Sequence, residues 1–235
     1  MLVKNWMSKN VISIGADNSM QDATAIMQQH RIRILPVVKN NKLVGIITDR
    51  DLKRASASDA TSLEIHELLY LLMKIKIKDI MTKNPIAVPM DWTVEETAEL
   101  LLNNKISGAP VVDEKDLVVG VITQTDLFRV LNSLTGVHAG GIQFAFKTKD
   151  NPGTIKELAD VIREFGGQMV SILSSYDKVP EGFRMVYIRM RYIDRQRLES
   201  LQKRLEEKAS LLYMIDQREN RREFFPENIN DQFRL

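Results

Sequence analysis

The sequence predicts an α/β (α+β) protein with two β-α-β-β-α units packed as a pair, followed by a domain of βαββαβ order. Three observations carry this expectation. Short blocks recur along the first half at nearly one offset, each copy switches between helical and strand-like apolar periods, and beyond about residue 136 the order of elements changes. A length of 235 residues suits one or two domains, with 44% hydrophobic and 27% charged residues in the ordinary globular range.

The repeat comes first. Lys4-Asn5-Trp6-Met7-Ser8-Lys9-Asn10 resembles Lys78-Asp79-Ile80-Met81-Thr82-Lys83-Asn84, and at the same offset Leu35-Pro36-Val37-Val38 falls on Ala109-Pro110-Val111-Val112. After one inserted residue, Gly45-Ile46-Ile47-Thr48-Asp49-Arg50-Asp51-Leu52 falls on Gly120-Val121-Ile122-Thr123-Gln124-Thr125-Asp126-Leu127. Three separated blocks in almost one register point to duplication of a structural unit.

Each copy divides alike. A short strand (Val11 to Ile14; Ile86 to Val88) leads to a helix opened by a capping box, Ser19 with Asp22 and Thr93 with Glu96. Met20, Ala23, Met27 and Val94, Ala98, Leu101 then mark a helical face. Two β-branched runs follow, Ile34 to Val38 and Leu43 to Thr48, around the turn Lys39-Asn40-Asn41-Lys42, with the second copy turning near Asp113 to Asp116. A last helix is expected after each Thr-x-x-Asp. One unit is too small to bury its own sheet, so the two should pack together. The domain boundaries are read as 1–55 and 77–135 for the repeats, with 56–76 a connecting helix built on the apolar run Leu63 to Ile77.

Thr48-x-x-Asp51 and Thr123-x-x-Asp126 each stand where a strand meets a helix. Capping alone explains such an element, because Thr bonds the N3 amide and the acid favours the positive end of the helix. Ligand binding is the second reading. Gly45 and Gly120, three residues before each Thr, would let a flat ligand approach the backbone, helix-start amides attract phosphate, and a carboxylate can take both ribose hydroxyls.

These motifs, Pro-Val-Val followed by Gly-hydrophobic-Ile-Thr-x-x-Asp-Leu in both copies, resemble a tandem CBS-domain pair (Bateman module) over roughly residues 1–135. The resemblance implies an adenine nucleotide or adenosyl ligand (AMP, ADP or ATP, with NADH or S-adenosylmethionine as alternatives) in clefts between the repeats. It assigns Asp51 and Asp126 to the ribose and Thr48 and Thr123 to the phosphate side. It lines the base with Ile32, Arg33 and Ile34 in one copy and Ile106, Ser107 and Gly108 in the other, with Ile12 and Ile86 as apolar walls. The segment Ile106-Ser107-Gly108 reads as the roomier and copy two as the better equipped, the bulky Ile32-Arg33-Ile34 either blocks a base or offers Arg33 to a phosphate, and Arg50 is matched in copy two by Thr125.

In the remaining chain Ile142, Phe144 and Phe146 alternate as in a strand, and Lys149-Asp150-Asn151-Pro152-Gly153 turns into a helix striped by Ile155, Leu158, Ala159, Ile162 and Phe165. Gly166-Gly167 ends it. Strands at Met169 to Tyr176 and Phe183 to Tyr192, a helix capped by Asp194 with Leu198, Leu201 and Leu205 inward, and a strand from Leu211 to Ile215 complete a ferredoxin-like order. With Asp150-x-Pro152-Gly153 at the first turn, residues 138–218 resemble an ACT domain, which implies an amino-acid effector or a pairing interface at Asp150, Asn151, Pro152 and Gly153. Residues 219–235 read as a tail. The domain order resembles the acetoin-utilisation protein AcuB family.

Other classes find little support. Net charge is +2, from 33 basic against 31 acidic residues, so no basic field points to nucleic acid. The absence of cysteine excludes thiolate chemistry and Cys-ligated zinc and suits a cytoplasmic protein. No signal peptide or membrane span is read, since Leu68 to Met73 is far too short to cross a bilayer. His30, His66 and His138 lack the spacing of metal ligands, and no Ser–His–Asp set, P-loop or GxGxxG is present. The sequence-based expectation is a non-catalytic regulatory sensor, homodimeric, acting on an unknown enzyme. The alternative is a structural adaptor whose clefts stay empty while it pairs with a target enzyme.

Overall fold

The computed structural model describes residues 1–59 and 74–225, with backbone alone over 57–59, and divides into two compact units, Met1–Phe128 and Arg129–Leu235. Most of the expected connecting helix therefore lies outside the described residues.

In the first unit, β1 (Ile14–Gly15), α1 (Met20–His30), β2 (Ile34–Lys39), β3 (Lys42–Thr48) and α2 (Asp49–Asp59) form repeat one. Then come α3 (Ile77–Ile80) and β4 (Thr82–Lys83), and repeat two follows with β5 (Val88–Pro89), α4 (Val94–Asn103), β6 (Gly108–Val112), β7 (Val118–Thr123) and α5 (Gln124–Thr135), which begins in this unit and whose residues from Arg129 belong to the second. Both predicted capping boxes form: Ser19 Oγ accepts the Asp22 amide while Asp22 accepts that of Ser19, and Thr93 and Glu96 do the same. On α1 the buried face is Met20, Ala23 and Met27, as the period requires. On α4 it is Val94, Thr97 and Leu101; Thr97 takes the place expected of Ala98, because its hydroxyl is satisfied by the Thr93 carbonyl at 2.9 Å.

Two boundaries differ from the sequence reading. The first strands start later, at Ile14 and Val88, because pairing is parallel and engages only Ile14 with Val37 and Gly15 with Val38, then Val88 with Val111 and Pro89 with Val112. The last helix of each repeat begins immediately after its Thr rather than after the Asp, so Asp51 and Asp126 sit inside the first turn. Residues 56–59, read as the start of a connector, are the end of α2.

The repeats are completed by exchanged segments. The lead-in to repeat two, β4, pairs antiparallel with β3 of repeat one, giving the sheet order β1-β2-β3-β4. The lead-in to repeat one does the converse: Ser8 bridges Val121 of β7, beside the sheet β5-β6-β7. Around this exchange the hydrogen bonds are reciprocal. Ile77 N–H donates to Asn18 and Lys78 N–H to Ala16; Val3 N–H donates to Trp92 and Lys4 N–H to Met90. The cores follow suit, with Ile77 buried against Leu35, Val37 and Ile47, and Val3 against Ala109, Val111 and Ile122.

The second unit contains β8 (Ile142–Lys149), α6 (Thr154–Glu164), β9 (Gln168–Ser175), β10 (Phe183–Arg191), α7 (Leu198–Glu206), β11 (Ser210–Asp216) and β12 (Arg221–Phe224). The sheet runs β12-β11-β8-β10-β9, and every pairing in it is antiparallel. Ile142, Phe144 and Phe146 alternate onto the helix-covered face, where they meet Leu158, Ile162, Leu198, Leu201 and Leu205. Asp194 caps a short 3-10 turn before α7. Strand β12 lies in the stretch read as a tail; it is held through Tyr213, which pairs with Phe224 and packs against its ring.

Candidate functional site

The site grows from the strand–helix junctions of the first unit. In repeat one, Oδ2 of Asp51 accepts the Thr48 amide at 2.9 Å and the Thr48 hydroxyl at 2.6 Å, while the Asp51 amide donates back to Thr48 Oγ1 at 3.3 Å. In repeat two, Oδ2 of Asp126 accepts the Thr123 amide at 2.9 Å and its hydroxyl at 2.7 Å. The Thr-x-x-Asp elements are thus helix-capping clasps, twice over. Each Thr hydroxyl carries one proton, and that proton already goes to the Asp.

The helix-start amides are partly spoken for as well. Asp49 N–H donates to the Arg33 carbonyl at 3.1 Å, and Gln124 N–H to the Ser107 carbonyl at 2.9 Å. These bonds bring the pre-strand residues beside the clasps: Ile34 pairs with Thr48 and Gly108 with Thr123. The segments assigned to the base and the elements assigned to the ribose therefore do meet. Ile32 and Ile106 are half-buried, Arg33, Ser107 and Arg50 are exposed, and Ile34 is buried. Ile12 packs against the core of repeat one, whereas its counterpart Ile86 is exposed.

Two glycine readings are corrected. Gly45 and Gly120 do not open the backbone toward a ligand: a Cβ at Gly45 would strike the Met81 side chain and lie 3.1 Å from the Thr82 carbonyl oxygen. At Gly120 it would strike Met7 and lie 3.1 Å from the Ser8 carbonyl oxygen. These glycines admit the exchanged lead-in segments. Nor is the space over Gly108 empty. A Cβ there would lie 2.8 Å from Ile34 Cδ1, 2.8 Å from the Ile122 carbonyl oxygen and 3.0 Å from Thr123 Cγ2. Sequence reasoning matched Met7 to Met81 but missed their role, and missed the Ile34–Gly108 contact. The repeated Met and Gly were the available signal for the first; nothing in the sequence signalled the second.

In the second unit, Asp150 lies 3.3 Å from Arg184 Nε in an ion pair and accepts from the Tyr176 hydroxyl at 3.4 Å. Gly153, at φ 93°, is the N-cap of α6, and the Asn151 carbonyl accepts the Thr154 hydroxyl at 2.9 Å. Pro152 is exposed. The four turn residues thus form a tied helix start, with the Asp150 carboxylate engaged by Arg184 and Tyr176.

Among the described residues, no group of three or more His, Asp or Glu side chains could hold a metal ion, and no helix is long and apolar enough to cross a membrane.

The CBS domain model matches residues 3–58 and 77–133, the two repeats. A CBS domain-containing protein of Dictyostelium discoideum is 36% identical over 132 residues, covering 56% of this chain and 91% of that protein. The chain belongs to the CBS-domain family. Among solved structures, a Vibrio cholerae protein named for acetoin utilization (AcuB) is 26% identical, with a TM-score of 0.50 over 59% of this chain and 96% of that one. The CBS domain pair of protein MJ0100, solved with 5′-methylthioadenosine and S-adenosyl-L-methionine, is 36% identical, with a TM-score of 0.49 over 56% of this chain and 99% of that one.

Proposed function

We propose that this CBS pair is a non-catalytic sensor for an adenine nucleotide or related adenosyl compound. The observation that carries the reading is the duplicated Thr–Asp clasp. Holding Oδ2 through the Thr amide and hydroxyl orients each carboxylate at a helix start, the geometry that a vicinal ribose diol requires of an acceptor. The positive end of the helix lies next to it and favours a phosphate. Pre-strand residues brought beside the clasp supply an apolar wall for a base. Membership of the CBS family supports the same ligand class.

The second unit is proposed as an ACT-like module, on the strength of its βαββαβ order and the Asp150-x-Pro152-Gly153 turn. Its role is pairing of two chains or response to an amino acid. Either role is compatible with the Asp150–Arg184 ion pair at 3.3 Å. Regulation then follows if the ligand binds one state of the module more tightly than another.

Titration calorimetry with AMP, ATP, NADH and S-adenosylmethionine tests the reading. Binding of at least one, weakened at least about tenfold by Asp51→Ala or Asp126→Ala (about 1.4 kcal/mol of binding energy), is the expected result. Absence of heat and of any thermal shift with all four would refute the sensor reading.

A further inference from the structure

We infer that the two half-sites are unequal in a defined way: the chain takes one adenosyl ligand, bearing phosphate, at the Thr48–Asp51 half-site of repeat one. This rests on the adenosyl reading above and sharpens it.

The asymmetry begins at one pair of equivalent positions. Ile34 opens β2 opposite Thr48, and Gly108 opens β6 opposite Thr123. Cδ1 of Ile34 occupies the space over Gly108, next to Thr123 Cγ2. Gly108 sends no side chain back toward Ile34 and Thr48. One isoleucine side chain therefore lies near Thr123 of the repeat-two clasp, and Gly108, having no side chain, offers no counterpart to it at the repeat-one clasp. Burial agrees: Asp126 is 3% exposed, whereas Asp51 is half-buried. A carboxylate must reach the solvent side to accept a ribose diol, and Asp51 does so more fully.

Local chemistry differs in the same sense. The Ile106 carbonyl of repeat two accepts Gln124 Nε2 at 3.4 Å, so an acceptor beside the expected base is engaged. Asp49, in the place of Gln124, carries no amide donor and is drawn instead to Lys53 at 3.3 Å. Next to the repeat-one clasp stand two exposed arginines, Arg33, whose backbone carbonyl accepts the Asp49 amide, and Arg50 in the clasp itself, where repeat two has Ser107 and Thr125. Two cations beside a helix start favour a phosphate and disfavour a sulfonium. Ile34 is thus the residue that selects which half-site is used, and the arginines select the ligand's charge.

Calorimetry on the full chain with AMP, ATP, adenosine and S-adenosylmethionine decides the matter. The expected result is one site per chain, at least about tenfold tighter for AMP than for adenosine, lost in Asp51→Ala, with the AMP preference abolished in Arg33→Ala/Arg50→Ala. Ile34→Ala should add a second site; Ile34→Val provides a milder opening if thermal melts show that the alanine variant does not fold. Two equivalent sites in the wild type, or binding lost in Asp126→Ala but kept in Asp51→Ala, would overturn the assignment. Equal affinity for adenosine and AMP would overturn the phosphate preference, and a folded Ile34 variant still limited to one site would remove Ile34 from its role. Failure of every adenosyl compound to bind refutes the sensor reading itself, and this inference with it.

Discussion

The side chain of Met7 fills the place that a Cβ on Gly120 would take, and Met81 does the same at Gly45. Each methionine belongs to the lead-in of one repeat and each glycine to the sheet of the other. The pair of contacts locks the exchange, and it can be probed from the glycine side. Gly120→Ala should cost about 1–3 kcal/mol by overpacking, read as a lower urea midpoint at unchanged slope. In a Met7→Ala background the same substitution should cost less, because the two nearest obstructing atoms, both of the Met7 side chain, are gone. An equal cost in both backgrounds would disprove the contact.

The capping box of α1 predicts a pH dependence. The Ser19 amide, then the Ser19 hydroxyl, hold the Asp22 carboxyl below its ordinary value of 3.8. A carboxyl lowered in the folded state stabilises the fold above its unfolded value and loses that contribution as pH falls through the folded one. Stability should therefore be level above about pH 5 and decline below about pH 4. Ser19→Ala should cost about 1 kcal/mol at pH 7 and flatten part of the acid limb. Denaturant melts from pH 3 to pH 7 measure both.

Arg189 sits at 5% exposure with its Nε on the Thr135 carbonyl (2.8 Å), Nη1 on Gln217 Oε1 (2.9 Å) and Nη2 on Gln143 Oε1 (2.9 Å). Burial pulls its guanidinium below the usual arginine range, since the acceptors are neutral. Arg189→Ala would leave the half-buried Gln143 side chain without this donor, while the Thr135 carbonyl keeps the Ser171 hydroxyl and Gln217 is exposed, and should destabilise the second unit by about 1–3 kcal/mol. Arg189→Lys should rescue little, because an ammonium cannot span the three directions of the fork. Hydrogen exchange along β10, compared across the three proteins, gives the test.

Asp216, fully buried, receives Arg195 Nε at 3.0 Å and Nη2 at 3.2 Å, together with the Arg218 amide at 2.9 Å. It fixes the turn between β11 and β12. Asp216→Ala should cost about 3 kcal/mol, the low end for breaking a buried pair, because Arg195 keeps Glu219 and some solvent. Loss of protection at Tyr213 and Phe224 amides, with β8 unaffected, is the expected pattern.

What could be read in advance was what local chemistry specifies. Ser19 with Asp22 and Thr93 with Glu96 announce helix starts by spacing alone, and Ile142, Phe144 and Phe146 announce a strand face by alternation. The short parallel strands were misplaced by two or three residues, because two-residue pairings leave no period to detect. The site was half legible: Thr48, Asp51, Thr123 and Asp126 could be named, but the direction in which the Thr hydroxyl donates could not.

The sequence by itself determined the duplication, the order of the main helices and strands apart from α3, β4 and β12, and the clasp residues, since each depends on neighbours within a few positions along the chain. Only the tertiary structure decided that the lead-ins exchange, that Gly45 and Gly120 serve methionines, and that Ile34 packs over Gly108. Those facts depend on close packing between residues about 36 to 113 positions apart, where a single methyl decides what fits and no local period records it.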